Sequence, residues 1–308
     1  MILVFGSLNM DLVLAAAAIP RPGETVIGEG YRTLPGGKGD NQAVAAARAG
    51  AQVAMAGAVG DDAFGRALTG NLRREGVATD LVATADRPTG IAMITVDPAG
   101  ENAISVAAGA NLSIAASAVP DAALTPETTL LMQMEVRPAE NWALLERARG
   151  RGVRTVLNVA PAAPVPAEAL EALDVLVVNQ HEAAAVARHL GLTSDGAAEE
   201  TARALAARAG LTCVVTLGGD GALAVADGAL WRVAALAVEP VDTTGAGDTF
   251  TGVFAAGLDA GLGLGETLRR ASVAAALACR GWGAQDSMPR AADIDAALDG
   301  VPLPQAAA

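Results

Sequence analysis

Hydrophobic and polar positions follow each other along this chain in two different rhythms. Short continuous apolar runs are typical of strands buried on both faces of a parallel sheet, and longer runs with apolar residues three or four apart are typical of helices. The predicted strands of the main sheet are residues 3–6, 53–58, 130–134, 155–158, 175–178 and 214–217, followed by a hairpin at 222–233. The predicted helices are 41–49, 62–75, 139–149, 168–173, 182–189, 197–209, a segment that starts at Asp248, and 266–279. Since strands and helices alternate, we expect an α/β fold with a Rossmann-like, mostly parallel sheet covered by helices on both faces.

Two stretches depart from this alternation and predict a second, smaller β-sheet. Residues 12–17 and 25–30 look extended, and the Pro-Arg-Pro-Gly segment between them is too rich in proline for a helix. Residues 90–96 and 102–106 flank an Asp-Pro-Ala-Gly turn and predict a hairpin. We interpret the chain as one domain, 1–308, with small-sheet segments at about 12–30 and 90–106. The tail, 304–308, is expected to be frayed.

The most distinctive stretch is residues 241–250, a glycine-rich turn that runs into an apolar segment of helical period. The start of a helix leaves backbone N–H groups without partners and carries a partial positive charge, so Gly245, Ala246 and Gly247 form a candidate phosphate-binding turn. Asp248 follows at the start of the helix. By itself it is either a cap worth about 1 kcal/mol or a proton acceptor beside the phosphate.

Polar side chains follow several predicted strands, at places where a packed core does not need them. Each by itself fits a cap or a solvated loop residue, but the carboxyl ends of parallel strands meet at one edge of a sheet, so we expect these side chains to converge there. The set is Asn9, Asp11, Lys38, Asn41, Glu135, Asn179, Glu182 and Asp248. A glycine-rich loop at 216–221 suits close approach of the backbone to a nucleotide.

Composition narrows the range of functions. The net charge of -13 disfavours nucleic acid and anionic membranes as partners. The longest uncharged run, 102–120, is interrupted by Asn, Ser, Gly and Pro, so no membrane span is expected. Cys213 and Cys279 lie in apolar runs without disulfide or metal spacing, which favours reduced thiols and a cytoplasmic location. Dinucleotide-binding, Walker and zinc-protease patterns are all incomplete, which disfavours dehydrogenase, P-loop and metallohydrolase functions.

Seven blocks in chain order resemble the ribokinase-type sugar kinases, the family shared with the B-type phosphofructokinases. The blocks are 6–11, 35–39 with 41–43, 130–135, 158–161, Asn179 with Glu182, 216–221 and 241–248, and the resemblance runs from about residue 3 to residue 289. It implies that the small sheet is a lid over a bound sugar. In this family the lid commonly also forms a dimer interface, so a homodimer is expected. The resemblance further implies a sugar and ATP as small-molecule partners, and Mg²⁺ and K⁺ as cofactors.

The resemblance also implies a role for each matching residue. Asp248 would accept the proton of the sugar's primary hydroxyl, and the amides of residues 245–247 would bind the transferring phosphoryl group. Sugar hydroxyls would be bound by Asn9, Asp11, Gly37, Lys38, Asn41 and Glu135. The nucleotide would be bound by Asn179, Thr216, Gly218, Gly221, Gly247 and Ser272. Glu182 would influence Mg²⁺ through water, and K⁺ would be held, mostly by carbonyl oxygens, at Asp242, Thr244, Ala278, Gly281, Gly283 and Ser287.

The leading hypothesis for function is an ATP-dependent kinase that phosphorylates the 5-hydroxyl of D-ribose. Kinases of another sugar, such as deoxyribose or fructose, and nucleoside kinases are alternatives on the same fold, and a non-catalytic sugar or nucleotide sensor is an alternative of a different class. A sensor needs no proton acceptor beside the phosphate, so Asp248 argues against it. Only 3% of the residues are aromatic, which leaves few side chains to stack on the base of a nucleoside.

Asp40 departs from the family pattern, which usually has alanine at this position, next to the matching residues Lys38 and Asn41. One interpretation is an N-cap for a helix that begins near Asn41, in which case Asp40→Ala should lower the melting temperature. The other is that the carboxylate accepts a hydrogen bond from a sugar hydroxyl, or orients Lys38, and so changes which sugar is bound.

Overall fold

The computed structural model describes residues 1–192 and 196–307, which form two β-sheets and a set of helices. In chain order the strands are β1 Ile2–Phe5, β2 Asn9–Ala15, β3 Tyr31–Gly36, β4 Val53–Gly60, β5 Ala78–Ala85, β6 Gly90–Val96, β7 Asn102–Ala107, β8 Thr129–Met132, β9 Arg154–Asn158, β10 Val175–Asn179, β11 Thr212–Thr216, β12 Ala222–Ala226, β13 Ala229–Val233 and β14 Ala306–Ala307. The helices are α1 Lys38–Arg48, α2 Ala63–Arg74, α3 Pro138–Arg149, α4 Ala167–Leu170, α5 Gln180–His189, α6 Ala198–Ala209, α7 Ala246–Asp259, α8 Leu264–Ala278 and α9 Ala291–Ala297. In the described ranges, no helix is both long and apolar enough to cross a bilayer.

The larger sheet has the strand order β14-β13-β12-β11-β10-β9-β8-β1-β4-β5. Neighbouring strands from β11 to β5 are parallel, and β12, β13 and β14 extend the sheet as antiparallel strands. The larger sheet has a hydrophobic core on each face, and successive side chains of β1 pack into the two cores in turn, because strand side chains alternate between faces. Leu3 and Phe5 pack on one side, and Ile2 and Val4 pack on the other. The predicted mostly parallel sheet with both faces covered is confirmed.

The smaller sheet, with the order β3-β2-β6-β7, is also present as predicted, but two of its strands have different bounds. Residues 25–30 form no strand. Instead β3 begins at Tyr31 and includes Pro35. Because β3 is an edge strand, the missing N–H of proline is tolerated there. Strand β2 begins at Asn9, so Asn9 and Asp11 lie inside a strand of the small sheet.

Helix α1 begins three residues earlier than predicted. Gly37 is its N-cap, with φ 92°, and an added Cβ there would lie 2.7 Å from the Asn9 backbone nitrogen. Glycine is needed for both the backbone conformation and the close contact. Asp40 therefore lies within the first turn of α1, and its interpretation as the N-cap is wrong.

Two strands were missed by the sequence analysis. β5 pairs in parallel with β4 at the edge of the larger sheet, where half-exposed residues lack a strong apolar run. β14 pairs with β13, with Ala306 opposite Trp231, so the expectation of a frayed tail is wrong for these residues. Alanines paired mainly through their backbone carry no hydrophobic pattern that a sequence reading could detect.

Helices α1 and α7, each of which begins after a glycine N-cap, pack directly against each other. An added Cβ at Gly252 of α7 would lie 2.5 Å from the Gln42 carbonyl oxygen and 2.7 Å from the Ala45 Cβ. No side chain separates the two helices at this point, so the side chains that follow each glycine loop come within reach of one another.

We expect Gly252→Ala to destabilise the protein, because the added methyl group forces α1 and α7 apart. Overpacking of this kind costs about 1–3 kcal/mol. The matched control is Gly70→Ala in α2, where an added Cβ meets only the end of the Arg74 side chain, at 3.9 Å. That variant should gain roughly 0.5–1 kcal/mol from helix propensity. Thermal unfolding compares the Gly252→Ala and Gly70→Ala variants. Equal melting temperatures would contradict the close contact between α1 and α7.

Candidate active site

The N-terminus of α7 forms the glycine-rich turn that the sequence singled out. Gly245 is the N-cap with φ 77°, and an added Cβ there would lie 2.7 Å from the Ala284 Cβ, so this position requires glycine. The Ala246 N–H donates to the Thr243 carbonyl at 3.2 Å and is therefore engaged within the turn. An added Cβ at Gly247 meets no heavy atom within 4 Å, so the turn is open on that side.

Asp248 lies in the first turn of α7 with 8% of its surface exposed. Asn41 Nδ2 donates to its Oδ2 at 3.0 Å, and Gln42 Nε2 donates to its Oδ1 at 2.9 Å. Each carboxylate oxygen can accept more than one hydrogen bond, so Asp248 is held in place and still has acceptor capacity for a substrate hydroxyl. Asn41 and Asp248, which were predicted to lie close together, are joined by a direct hydrogen bond.

Gln42 links Asp248 to the main sheet. Its Nε2 also donates to Asn158 Oδ1 at 2.9 Å, and its Oε1 accepts from Gln133 Nε2 at 2.8 Å. Asn158, the last residue of β9, donates in turn to the Val177 carbonyl at 3.0 Å. Gln42 and Gln133 are fully buried, so these bonds form without competition from water. The carboxylate is thus anchored to the ends of the strands.

Glu135 and Lys38 contact each other and lie near Asp248. Glu135 Oε2 accepts from the Lys38 backbone N–H at 3.0 Å and from Ser7 Oγ at 2.6 Å. The negative charge of Asp248 is the main reason that the pKa of Lys38 is raised; burial opposes the effect, and Glu135 adds to it. The one lysine of the chain is therefore held as a cation among carboxylates.

Asp11 and Asn9 extend this group along β2. Burial, together with the charges of Glu135 and Asp248, raises the pKa of Asp11 to about 7, although Lys38 acts in the opposite direction. Asn9 is 2% exposed, and its Oδ1 accepts from Asn111 Nδ2 at 2.8 Å. Asn111 also bonds both backbone groups of Leu8, so it fixes the position of the Asn9 side chain.

Asn179 and Glu182 form a reciprocal capping box at the start of α5. Asn179 Oδ1 accepts from the Glu182 N–H at 2.8 Å, and Glu182 Oε2 accepts from the Asn179 N–H at 2.8 Å. Burial raises the pKa of Glu182, while the Asn179 backbone hydrogen bond and the charge of Lys38 oppose the shift. The two residues thus have a structural role besides any contact with a ligand.

The predicted nucleotide residues lie around the loop after β11. Thr216 is the last residue of β11, and Gly218 and Gly221 have positive φ values of 62° and 92°. An added Cβ at Gly221 would lie 2.1 Å from the Val233 carbonyl oxygen, so a side chain is excluded there. Ser272 is 4% exposed, and its Oγ donates to the Ala234 carbonyl at 2.9 Å, so this hydroxyl is engaged within the protein.

The predicted cation residues lie on two segments that meet at Asp242. Its Oδ1 accepts from the Thr244 N–H at 2.9 Å, and its Oδ2 accepts from the Gly283 N–H at 3.0 Å. Burial acts to raise the pKa of Asp242, but these hydrogen bonds outweigh it and hold the pKa below its usual value. The Val241 N–H donates to the Cys279 carbonyl at 2.7 Å. The other predicted positions are Ala278 at the end of α8, Gly281, and Ser287, whose Oγ donates to the Gly283 carbonyl.

Comparison with known proteins agrees with this geometry. The family model described as "pfkB family carbohydrate kinase" matches residues 1–291. The chain belongs to this family. The ribokinase of Lactococcus lactis subsp. lactis (strain IL1403) is 36% identical over 298 residues, which are 96% of this chain and 96% of that protein. The predicted resemblance to this kinase family is confirmed.

Solved structures of similar proteins show the same fold. The crystal structure of a ribokinase from Thermotoga maritima matches with a TM-score of 0.89 and 30% identity, over 97% of this chain and 99% of that chain. The Arabidopsis thaliana ribokinase complexed with ribose and ATP matches with a TM-score of 0.84 and 31% identity, over 96% and 98%. The pfkB fold therefore includes both the larger and the smaller sheet of this chain.

Asp40 is the unusual residue of this pfkB site. Its side chain is fully buried, and neither carboxyl oxygen has a hydrogen-bond partner among the residues that the structure describes. Burial raises its pKa well above the usual value. The nearby Gln285 side chain opposes this shift of the Asp40 pKa, and its Nε2 group also donates to Asn41 Oδ1. With no exposed surface, Asp40 contacts a sugar only if the site rearranges, so a role in sugar choice stays a prediction.

Sequence reasoning missed several polar residues that support the site. Gln42, Gln133 and Asn158 lie inside the blocks that carried the family resemblance but were not assigned to the site. The available signal was the burial of an amide side chain in an alanine-rich helix or at the end of an apolar strand. Such amides need partners when buried.

We expect Asp40→Ala to raise the melting temperature, which is opposite to the effect of losing a cap. A buried polar group without a partner costs about 1–3 kcal/mol. Because the pKa of Asp40 is higher in the folded than in the unfolded protein, its contribution to stability is most favourable at low pH and is lost as the pH rises through the folded value. The gain from Asp40→Ala should therefore grow between pH 4 and pH 8.

Thermal unfolding of Asp40→Ala and Asp40→Asn across this pH range tests the prediction. The asparagine side chain has a similar size and does not titrate, so the difference between the two variants should not depend on pH. A melting temperature of Asp40→Ala below that of the parent at every pH would contradict the prediction.

Proposed function

We propose that this pfkB-family protein is an ATP-dependent ribokinase, which transfers a phosphoryl group to the 5-hydroxyl of D-ribose. The observation that carries the proposal is the Asp248 carboxylate, which lies in the first turn of a helix with a glycine N-cap and is held by two amide donors. The relatives support the choice of substrates, because the Lactococcus lactis protein is named a ribokinase and the Arabidopsis thaliana ribokinase was solved with ribose and ATP.

In the proposed reaction, Asp248 accepts the proton of the sugar hydroxyl while the hydroxyl oxygen attacks the γ-phosphorus of ATP. The new O–P bond forms as the bond from phosphorus to the bridging oxygen of ADP breaks, and ADP leaves. Asn41 and Gln42 hold the carboxylate in one orientation. The open side of the turn at Gly247 and the partial positive charge of the helix N-terminus would stabilise the transferring phosphoryl group.

We propose that the sugar hydroxyls are bound between β2 and the N-terminus of α1. The residues are Asn9, Asp11, Gly37, Lys38, Asn41 and Glu135. Support comes from two contacts: the Lys38 N–H donates to Glu135, and Asn41 donates to Asp248. The charges of Asp248 and Glu135 also raise the pKa of Lys38, which places these groups near one another. Carboxylates that accept and an ammonium that donates are suited to a ligand with several hydroxyl groups.

The nucleotide would be bound by Asn179, Thr216, Gly218, Gly221, Gly247 and Ser272, and Mg²⁺ would be held by the phosphates and, through water, by Glu182. Glu182 fits this role because only its Oε2 is used by the Asn179 N–H, and a carboxylate has a second oxygen that can accept from a water molecule. In the described ranges no group of three His, Cys, Asp or Glu side chains could hold a metal ion. When bound, Mg²⁺ would neutralise charge on the phosphates.

We further propose a K⁺ site formed by Asp242, Thr244, Ala278, Gly281, Gly283 and Ser287. The residues fit because the two segments that carry them already meet through the Asp242 carboxylate and the Cys279 carbonyl, and oxygen ligands suit a hard cation. When bound, K⁺ would be coordinated by oxygen atoms of both segments. It would thereby order residues 242–247, which end at the anion-binding turn.

The smaller sheet is the proposed lid and dimer interface. On one face of it, two apolar side chains of β7 are more than half exposed in the isolated chain: Ile104 is 55% exposed and Val106 52%. Such a patch on a sheet favours contact with a second copy, and light scattering of the protein with and without Ile104→Asp tests this. A monomeric parent protein would contradict the dimer.

We infer a cytoplasmic location from the reduced, buried Cys213, and cell fractionation tests it.

The proposed function predicts ATP turnover with D-ribose above that with deoxyribose, fructose, other hexoses and nucleosides. The assay should be run in potassium and in a bulky organic cation at matched ionic strength. We expect higher turnover in potassium because the ion orders the turn before Asp248. Equal turnover in both salts would contradict the K⁺ site, and a clear preference for another sugar would identify the alternative kinase. ATP binding without turnover on any member of the panel would favour the sensor.

We expect Asp248→Asn to lose turnover and keep ATP binding. The change removes the proton acceptor but leaves the size of the side chain and the backbone amides intact, and loss of a general base typically costs about two to four orders of magnitude. Steady-state kinetics measures turnover and calorimetry measures ATP binding. The matched control is Asp61→Asn, since Asp61 is exposed and pairs only with Arg66 among the contacts in the described chain. Parental turnover in Asp248→Asn would show that Asp248 is not the base.

A further inference from the structure

A chain of four hydrogen bonds connects the protein surface to the Asp248 carboxylate. Arg74 Nη2 donates to Asn71 Oδ1 at 3.0 Å, and Asn71 Nδ2 donates to Gln285 Oε1 at 2.7 Å. Gln285 Nε2 then donates to Asn41 Oδ1 at 3.1 Å, and Asn41 Nδ2 donates to Asp248 Oδ2 at 3.0 Å. The chain joins α2, the segment after α8, α1 and α7.

The groups at the two ends of this hydrogen-bond chain fix the direction in which its bonds donate. A guanidinium group can only donate hydrogen bonds, and a carboxylate can only accept them, whereas each amide between them has one donor end and one acceptor end. The Arg74 end requires Asn71 to present its oxygen, and the Asp248 end requires Asn41 to present its NH₂ group. Only one orientation of the Asn71, Gln285 and Asn41 amides then provides the hydrogen bonds that both ends require.

Gln285 is the central link, and its position is fixed by other contacts. It is 5% exposed, and its backbone carbonyl accepts from Arg48 Nη1 at 2.6 Å. Arg48 is itself held by two hydrogen bonds to Glu75, at 2.9 Å and 2.8 Å. Movement of the Gln285 backbone away from Asn41 would therefore break a part-buried, charge-assisted contact.

We propose that Gln285 is a positioning residue for phosphoryl transfer, which sets the orientation of the Asn41 amide and through it the orientation of Asp248. If the Asn41 amide turned over, its oxygen would face the Asp248 carboxylate at hydrogen-bond distance, and two acceptors repel each other. Asn41 would then cease to restrain Oδ2, leaving Gln42 as the remaining donor of the pair. The inference rests on the proposed role of Asp248 as the base.

The test reverses the direction of the hydrogen-bond chain at Asn71, which in the described part of the chain forms no hydrogen bond with Asp248 or Asn41. In Asn71→Asp the side chain still accepts from Arg74 but offers only acceptors to Gln285, so the Gln285 NH₂ group turns toward position 71 and its oxygen toward Asn41. In Asn71→Leu the link is removed but no reversal is imposed. Gln285→Met removes the central link with little change in side-chain length.

We expect Asn71→Asp to lower kcat with the sugar by about ten- to a hundredfold, because a small misplacement of a catalytic group has effects of this size. Asn71→Leu should lower it less than Asn71→Asp, and Gln285→Met should lower it by about tenfold. The KM for ATP should stay at the parental value in all three variants. A merely structural role predicts the opposite order, with the leucine variant at least as impaired as the aspartate variant.

The matched control for exchanging an amide for a carboxylate is Gln52→Glu, at an exposed position before β4, which should keep the parental kcat. Asn71→Leu as impaired as Asn71→Asp, or both at the parental kcat, overturns the inference. Assaying Asp248→Asn in parallel separates the two possible failures. If Asp248→Asn is inactive and the Asn71 variants are fully active, the positioning role is wrong and the proposed function stands. If Asp248→Asn is fully active, the role of Asp248 fails and the inference fails with it.

Discussion

The direct contact between α1 and α7 at Gly252 is the constraint on which the rest of the site depends. Each of these helices starts with a glycine in a positive-φ conformation, Gly37 and Gly245, which turns the chain sharply into the helix. Because the helices touch through backbone and small side chains, their first turns lie side by side. Asn41 can then reach Asp248 with a single hydrogen bond.

The buried amides turn this contact into a rigid arrangement. The interior is rich in alanine, valine and leucine, and a polar group buried in such surroundings must find partners or destabilise the fold. Gln42 finds partners on Asp248, Asn158 and Gln133, so one side chain connects α7 to the ends of two strands. Moving the carboxylate would break several buried hydrogen bonds together. In the described residues, Gln133 Oε1 and Asn141 Oδ1 also lack partners, but each of these amides is held through its NH₂ group. Asp40 differs from them, because both of its buried carboxyl oxygens lack partners.

Negative charge dominates the site, as it dominates the whole chain. Asp11, Glu135, Glu182 and Asp248 lie near one lysine, and the charges of Glu135 and Asp248 add to the effect of burial in raising the pKa of Asp11. An anionic nucleotide is not attracted to such a group of side chains. Attraction must come from backbone amides and from the positive ends of helices, which add no titratable group to the site. This explains why the glycine turn before Asp248 matters more to the proposed chemistry than any basic side chain except Lys38.

The amino-acid sequence alone determined the alternation of strands and helices, the small sheet, and the position of Asp248 after a glycine turn. These features depend on local periodicity and on the conformational freedom of glycine, which are properties of neighbouring residues. It did not determine where α1 begins, that β14 pairs with β13, or which partners the buried amides find. Gln42, Gln285 and Asn71 are ordinary polar residues until folding brings segments more than 200 positions apart into contact. The burial of Asp40 likewise depends on what packs around α1, and only the tertiary structure decides that.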